Sequence, residues 1–185
     1  MRIAGLVGTS LIDFPDRISC VLFLQGCNWN CWYCHNPQLI PLEADDSQSE
    51  PYTLKTFTEF LESRRGKLDG VVVTGGEPTI HSDLPHLLST IKGMGYAVKL
   101  DTNGSNPQMV KDVLEAQLVD YIAMDIKAPW DRYEEICGRG VQVENVKQTL
   151  ALLKVCSKGW EARTTVCPSL DDDDLRLMDN YVKVS

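Results

Sequence analysis

Three cysteines lie within eight residues of one another in the stretch FLQGCNWNCWYCHNP, residues 23–37. Cys27, Cys31 and Cys34 have the spacing C-x3-C-x2-C, and no cysteine occurs between Cys34 and Gly75. Thiolates are soft ligands that suit zinc or iron–sulfur clusters. A four-iron cluster has four corners, so three cysteines leave one iron free to bind another molecule. The stretch therefore predicts a metal centre with one open position.

A structural zinc site that uses the three thiolates and His35 is the main alternative. His35 directly follows Cys34 in the sequence, and two adjacent side chains chelate one tetrahedral ion only with strain. A non-enzymatic iron–sulfur or zinc-binding module is therefore kept as the hypothesis from another functional class.

Four more polar stretches each end or follow an apolar run: GGEP at 75–78, DTNG at 101–104, DIK at 125–127 and TT at 164–165. The carboxyl ends of neighbouring parallel strands share one rim in a barrel-like sheet, where active sites are built. We therefore expect these four stretches and the cysteine loop to form a single site.

The elements that must position this site alternate along the chain. Apolar runs rich in Val, Ile and Leu predict five strands, at Arg17–Leu24, Gly70–Thr74, Tyr96–Leu100, Asp120–Ile126 and Trp160–Val166. Helical periodicity follows each run, with caps predicted at Ser82 and Asn106 and a helix end at Gly93. Five β–α units predict an α/β fold with a parallel sheet. The polar segment Glu43–Pro51 predicts a loop.

Composition narrows the class of protein. A chain of 185 residues suits one domain, and the net charge of −8 argues against a nucleic-acid partner. No apolar run approaches the roughly 20 residues that cross a bilayer, so we expect no membrane partner. Seven cysteines without an export signal predict thiols in a reducing compartment and a cytoplasmic protein. The other four, Cys20, Cys137, Cys156 and Cys167, are scattered. Cys20 within the first strand, Cys156 on the apolar stripe of a helix, and Cys167 are predicted to pack as small hydrophobes.

The consecutive aspartates Asp171 to Asp174 precede the last helical pattern, which starts at about Asp171. Acidic residues in the first turn of a helix complement its dipole. We therefore interpret this run as structural rather than as a cation site.

The cysteine spacing, with Tyr33 just before the last cysteine, resembles the motif of radical S-adenosylmethionine (SAM) enzymes. LDTNG and MDIKAP narrow the resemblance to activating enzymes for glycyl-radical proteins. The opening GLVGTSLIDFPDRISCVLFLQGCNWNCWYCHNP is most similar to the anaerobic ribonucleoside-triphosphate reductase activating proteins. Asp16 departs from the glycine usual there, and the chain ends at Ser185 before a sixth unit. The resemblance thus implies one radical SAM domain over residues 1–185, a partial (β/α) barrel truncated at its C-terminus.

The resemblance also implies cofactors and their ligands. A [4Fe–4S] cluster would be held by Cys27, Cys31 and Cys34, and SAM would bind its open iron. The GGEP stretch would receive the SAM amino group, and the resemblance adds a monovalent cation near the SAM carboxylate. The implied cofactor-binding residues are Tyr33, Gly75, Gly76, Glu77, Pro78, Asp101, Thr102, Asn103, Asp125, Lys127 and Arg163.

The implied reaction is reductive cleavage of SAM to methionine and a 5′-deoxyadenosyl radical, which abstracts hydrogen from a backbone glycine of a partner enzyme. The expected partner is an anaerobic ribonucleoside-triphosphate reductase, with a flavodoxin or ferredoxin as electron donor. A pyruvate formate-lyase type partner, or a small-molecule substrate, is the alternative within radical SAM enzymes.

Overall fold

The computed structural model describes residues 1–42 and 52–183, so the loop predicted at Glu43–Pro51 lies outside the described residues. The described chain is an α/β domain built on one sheet. Its strands are β1 (Ile3–Ser10), β2 (Ser19–Leu24), β3 (Gly70–Gly75), β4 (Ala97–Thr102), β5 (Tyr121–Asp125) and β6 (Gly159–Arg163). Its helices are α1 (Leu54–Ser63), α2 (Leu84–Gly93), α3 (Pro107–Glu115), α4 (Tyr133–Cys137), α5 (Val143–Val155) and α6 (Asp172–Val182).

The strand order in the sheet equals the order along the chain, β1-β2-β3-β4-β5-β6. Strands β2 to β6 pair in parallel, as the five predicted β–α units require. This sequential order is that of a (β/α) barrel, whereas a doubly wound sheet reverses its order at a switch point. The prediction of a partial barrel is therefore confirmed.

The N-terminal strand β1 was missing from the prediction. It pairs antiparallel with β2. The register of this pairing shifts between Ile3 and Gly5 and again between Val7 and Ser10. Gly5 and Gly8 lower its strand propensity, and its exposed positions do not alternate regularly. An edge strand of this composition carries no clear period-2 signal, which is why the sequence pattern did not reveal it.

Two helix starts had been predicted from caps, and one of them was wrong. Asn106 caps α3 and accepts a hydrogen bond from the backbone N–H of Met109, with Pro107 at the first turn. Helix α2, however, has Asp83 rather than Ser82 at its N-cap, without a side-chain cap bond. The carboxylate of Asp83 instead lies 3.2 Å from the N-terminal ammonium group. The cap thus lies one residue later than predicted, and the side chain at that position forms a tertiary ion pair instead of a cap hydrogen bond.

The two faces of the sheet carry different chemistry. On the face covered by helices, alternate strand residues such as Leu22, Val73 and Ile122 are fully buried in the main hydrophobic core. On the opposite face, Val21 and Val72 join Phe14 in a second, small apolar cluster. Toward the carboxyl ends of the strands, the residues on this face are charged, and they form the floor of the cavity described below.

The scattered cysteines that were predicted to pack are buried or half-buried. The side chains of Cys20, Cys137 and Cys167 are buried, and Cys156 is half-buried. Cys156 lies just beyond the last residue of α5, Val155, rather than on that helix as predicted.

Asp16 adopts a left-handed backbone conformation, with a φ of 59°. This is the position at which the resembled family usually has glycine, the residue that adopts such a φ without steric cost. The turn is therefore kept in this chain, and aspartate is among the side chains that tolerate it.

No helix within the described ranges is long and apolar enough to cross a membrane.

The run Asp171 to Asp174 has the structural role that was predicted. Asp171 is the N-cap of α6, and its carboxylate accepts hydrogen bonds from the backbone N–H groups of Asp173 and Asp174. Asp174 completes a capping box and forms an ion pair with Arg132. These carboxylates satisfy helix donors and the helix dipole.

We predict that Asp171→Ala lowers the free energy of unfolding by about 0.5–2 kcal/mol, because it removes the cap of α6. Asp172→Ala is the matched control, since Asp172 carries the same charge in the same turn without capping a backbone donor. Urea unfolding of both variants measures the difference. Equal losses in the two variants would show that charge, rather than the cap, stabilises this helix.

Candidate functional site

A cavity of about 520 Å³ lies at the carboxyl ends of the parallel strands. All the residues that the sequence analysis assigned to the site line this cavity except Pro78, which is buried at the start of a 3₁₀ turn. Thr164 and Thr165 also line it, so all five polar stretches meet as expected. The lining residues among the predicted set are Cys27, Cys31, Tyr33, Cys34, Gly75, Gly76, Glu77, Asp101, Thr102, Asn103, Asp125, Lys127 and Arg163.

The cysteine loop is fastened to the rest of the protein on two sides. At its start, the N–H of Cys27 donates to the carbonyl of Ile40 at 3.0 Å, next to a 3₁₀ turn. Further along, the N–H groups of Asn30 and Trp32 donate to the carbonyls of Cys137 and Ile136, at 3.0 and 3.3 Å. The backbone around the three cysteines is thus held by hydrogen bonds rather than left as an open loop.

The three thiols differ in their surroundings. Burial raises the pKa of Cys27 to about 11. The neighbouring thiol of Cys137 lowers the pKa of Cys31, against the effect of burial. The N–H of Trp29 also donates to the sulfur of Cys27 at 3.4 Å.

Within residues 1–42 and 52–183, no three His, Cys, Asp or Glu side chains converge closely enough to hold one metal ion. A single zinc ion needs all its ligand atoms within about 2.0–2.3 Å of one point. The ligands of a cubane cluster bind different irons, and so they surround a larger volume. Three thiols, which are soft ligands, line one cavity, and this donor set fits an iron–sulfur cluster.

The two glycines of GGEP are required by backbone contact. Gly75 has a φ of 136°, and a Cβ there would lie 2.2 Å from the carbonyl oxygen of Leu24. A Cβ on Gly76 would lie 2.0 Å from the carbonyl oxygen of Gly26. The N–H of Glu77 donates to that same carbonyl at 2.8 Å. The end of β3 therefore packs directly against the turn that opens the cysteine loop.

The carboxylate of Glu77 is 1% exposed and joins two of the polar stretches. One oxygen accepts from the N–H and hydroxyl of Thr79 at 2.9 and 2.5 Å, and from the hydroxyl of Thr102 at 2.8 Å. The other oxygen accepts from the N–H of Asn103 at 2.6 Å. Burial raises the pKa of Glu77, and these donors oppose that shift. Within the stretch that was predicted to receive the SAM amino group, the Glu77 side chain is thus largely engaged in fixing the DTNG stretch.

Acidic and basic side chains alternate across the floor of the cavity. Asp101 contacts Lys99 at 2.9 Å and Arg163 at 3.1 Å. Asp125 contacts Arg163 at 3.2 Å and Lys127 at 3.1 Å. Burial raises the pKa of Asp101 against the effect of the neighbouring Arg163 and Lys99. Burial alone would lower the pKa of Lys127, but Asp125 keeps it above its usual range.

Tyr33 has a buried hydroxyl oxygen with no hydrogen-bond partner among the described residues. Its ring lies 5.9 Å from the ammonium nitrogen of Lys127. A buried polar atom normally has a partner, so an orphaned hydroxyl in the wall of a cavity indicates space for a ligand atom or a water. The donor set and this hydroxyl both fit a group bound in the cavity.

Sequence reasoning missed three residues that shape the site. Asn28 donates to the hydroxyl of Ser105 at 2.9 Å and accepts from the side-chain amide of Asn103 at 3.1 Å, which ties the cysteine loop to the DTNG stretch. No local pattern reveals such a contact. Lys99 did give a signal, since it is a lysine within the apolar run YAVKL. Cys137 gave none, because helix α4 has only five residues.

We predict that Gly76→Ala disrupts the junction between β3 and the cysteine loop, because the added Cβ would overlap the backbone of Gly26. Gly93→Ala is the matched control, because a Cβ there meets no atom within 4 Å. Thermal unfolding should show a large loss for Gly76→Ala and no loss for Gly93→Ala. Equal stability of the two variants would contradict the close contact.

Comparison with known proteins gives relatives over most of the chain. A protein of Methanocaldococcus jannaschii named "Putative glycyl-radical enzyme activating enzyme" is 33% identical over 187 residues, covering 98% of this chain and 75% of that protein. The pyruvate formate-lyase-activating enzyme of Clostridium pasteurianum is 28% identical over 187 residues, covering 98% of this chain and 76% of that enzyme.

Among solved structures, QueE from Escherichia coli superposes with a TM-score of 0.54 at 15% identity, covering 96% of this chain and 87% of that one. At this identity the likeness concerns the fold alone. The model of the Radical SAM superfamily matches residues 21–182, from β2 to the end of α6. The match includes all three cysteines and every polar stretch that lines the cavity, and the chain belongs to the Radical SAM superfamily.

Proposed function

We propose that this protein is an activating enzyme that generates a glycyl radical on a partner enzyme. The observation that carries the proposal is the joint lining of one cavity by three cysteines and four further polar stretches, in a chain related over 98% of its length to activating enzymes. Enzymes of the Radical SAM superfamily use a [4Fe–4S] cluster and SAM. The residues of the cavity fit both groups, as the thiol arrangement and the orphaned hydroxyl of Tyr33 indicate.

In this proposal Cys27, Cys31 and Cys34 would hold the cluster, and SAM would bind at the iron that no cysteine ligates. When bound, the cluster and SAM supply a 5′-deoxyadenosyl radical by reductive cleavage of the sulfonium bond. The protein contributes binding, orientation and exclusion of side reactions, as is usual when a cofactor carries the chemistry.

The hydrogen bonds that the Glu77 carboxylate accepts from Thr79, Thr102 and Asn103 hold the backbone of GGEP beside the cysteine loop. Gly75 and Gly76 place that backbone in contact with Leu24 and Gly26, and so next to Cys27. Backbone carbonyl groups in such a turn are suitable acceptors for the SAM amino group. We therefore assign the amino-group role to the GGEP backbone, with the Glu77 carboxylate holding the loop that presents it.

Lys127 and Arg163 are the cations available to a carboxylate in the cavity. Each already forms an ion pair with Asp125, at 3.1 and 3.2 Å. A carboxylate bound in the cavity would therefore share these two cations with Asp125. The monovalent cation implied near Asp101, Thr102 and Asp125 would compete with these same protein cations. We therefore propose cluster and SAM as the resident groups and treat the added cation as secondary.

The proposed partner is an anaerobic ribonucleoside-triphosphate reductase, with a flavodoxin or ferredoxin as the electron donor. The support for this partner is the resemblance of the N-terminal stretch described above. The relative from Clostridium pasteurianum, a pyruvate formate-lyase-activating enzyme, favours a partner of that type as the second candidate.

We predict that Cys27→Ala, Cys31→Ala and Cys34→Ala each lose the iron–sulfur cluster after anaerobic reconstitution, because each removes one iron ligand. Cys20→Ala and Cys167→Ala are matched controls, since both thiols are buried and neither lines the cavity. Iron and sulfide content and the visible absorption spectrum measure the outcome. Stoichiometric zinc in the purified protein, with no uptake of iron, would contradict the proposal.

We predict a glycyl-radical doublet in the electron paramagnetic resonance spectrum when the reconstituted protein is mixed with SAM, a reductant and an anaerobic ribonucleoside-triphosphate reductase without oxygen. The Cys31→Ala variant should give no signal, and neither should a reductase whose acceptor glycine is replaced by alanine. Formation of 5′-deoxyadenosine should accompany the radical.

The same mixture with a pyruvate formate-lyase separates the two candidate partners. A doublet on the lyase alone would assign the activity to that type of partner. SAM cleavage with no radical on either protein would move the reaction to a small molecule. An intact cluster that never cleaves SAM would overturn the proposed activity.

A further inference from the structure

Lys99 is a charged side chain inside the sheet. It lies in the middle of β4, between its register partners Val72 on β3 and Tyr121 on β5, and only 1% of its surface is exposed. Lysine is almost never fully buried unless its charge has a partner. The groups around its ammonium nitrogen therefore show what this residue does.

The ammonium group of Lys99 lies between two carboxylates. Its nitrogen is 2.9 Å from Oδ1 of Asp101 and 3.4 Å from Oε1 of Glu161. The contact with Asp101 is an ion pair without an aligned hydrogen bond. Asp101 and Glu161 flank Ala123 in the register of β4, β5 and β6, so the three side chains share one face of the sheet. The small side chain of Ala123 leaves room for the ammonium group to reach both carboxylates.

Protein cations already pair with the two aspartates near which a monovalent cation was expected. Oδ1 of Asp101 faces Lys99 at 2.9 Å, and its Oδ2 faces Arg163 at 3.1 Å. Oδ1 of Asp125 faces Arg163 at 3.2 Å, and its Oδ2 faces Lys127 at 3.1 Å. All four carboxylate oxygens therefore have a positively charged group within 3.2 Å.

The hydroxyl of Thr102, the third expected ligand of that cation, is engaged as well. It donates to Glu77 at 2.8 Å and accepts from the N–H of Gly104 at 3.1 Å, and Thr102 is only 2% exposed. A cation bound between this hydroxyl and the two aspartates would also lie beside three protein cations, and like charges a few ångströms apart repel strongly away from bulk water. The floor of the cavity therefore does not fit an added monovalent cation.

We propose that Lys99 is the built-in cation of the site and a positioning residue. Its ammonium group supplies the positive charge that the resemblance assigned to a monovalent cation, and it holds Asp101 where that carboxylate pairs with Arg163. The protein then needs no added sodium or potassium ion. This claim stands on the geometry of the cavity floor. Its consequence for SAM, which should bind equally well with and without potassium, rests on the proposed function.

The first test measures the affinity of the reconstituted parent protein for SAM by equilibrium dialysis. The measurement is made in potassium chloride and in choline chloride of equal ionic strength, because choline is too bulky to replace a small cation between two carboxylates. We expect equal affinities in the two salts. A weaker affinity in choline chloride would overturn the inference and leave the proposed function intact.

The second test uses Lys99→Met, which removes the ammonium group and keeps a side chain of similar length. Potassium or ammonium chloride should then support SAM binding about tenfold better than choline chloride, the effect of one interaction with a charged group. Lys92→Met is the matched control, since Lys92 pairs with Asp120 at 2.8 Å outside the cavity, and its SAM affinity should not depend on the salt. Equal affinities of Lys99→Met in all three salts would overturn the inference, because a merely structural lysine leaves no cation to replace.

Direct cation binding decides the inference if SAM does not bind or if Lys99→Met does not fold. Thallium(I) nitrate substitutes for potassium, and nuclear magnetic resonance of thallium reports the bound ion. The parent protein should show no bound thallium that potassium displaces. Such a signal in the parent, lost in Asp101→Asn, would overturn the inference. Absence of SAM binding by the parent in every salt would instead overturn the proposed function, and the thallium measurement would still decide the role of Lys99.

Discussion

The close contact between two backbone segments, Gly75–Gly76 and Leu24–Gly26, is the constraint on which the site depends. A side chain at either glycine would overlap carbonyl groups of the neighbouring strand end. The contact brings the end of β3 against the turn that opens the cysteine loop, and the N–H of Glu77 donates across it. From there the carboxylate of Glu77 reaches the DTNG stretch. Three of the five polar stretches are thus linked through one junction without any metal or cofactor.

Charge balance is the second constraint on the cavity. Three carboxylates, of Asp101, Asp125 and Glu161, alternate with the cations of Lys99, Lys127 and Arg163. A buried charge left without its partner costs about 3–5 kcal/mol. The dependence on partners is therefore strongest for Lys99, the fully buried member. These charged groups lie on the face of the sheet that carries the small apolar cluster of Phe14, Val21 and Val72 nearer the start of the strands. A charged reactant can therefore be bound in the cavity by groups that are already solvated by one another.

Much of this architecture could be predicted from the sequence because it is determined by residues close together along the chain. The apolar run of β3 and the Asn106–Pro107 cap act within a few residues, and both were predicted correctly. Strand β1 was missed because its glycines and exposed edge leave no periodic pattern. Helix α4 was missed because five residues are too few for helical periodicity to appear.

The functional site shows the same contrast between features that are encoded locally in the sequence and features that are not. The cysteine spacing and the polar stretches after each strand predicted which residues line the cavity, since parallel strand ends must share a rim. The partners of those residues could not be predicted. The bonds from Asn28 to Ser105 and from Thr102 to Glu77 join positions 77 and 25 residues apart. Such contacts depend on how the loops pack, for which sequence spacing holds no information.

The two-sided fastening of the cysteine loop has a consequence for entropy. Fixing the backbone of one residue costs about 1–2 kcal/mol, so ordering the eight residues from Cys27 to Cys34 is a large unfavourable term. In this fold the hydrogen bonds to Ile40, Ile136 and Cys137 order that segment as the chain folds. An incoming cluster then meets three thiols whose backbone freedom has already been lost. Its affinity can reflect the strength of the iron–sulfur bonds themselves, undiminished by the ordering of a disordered loop.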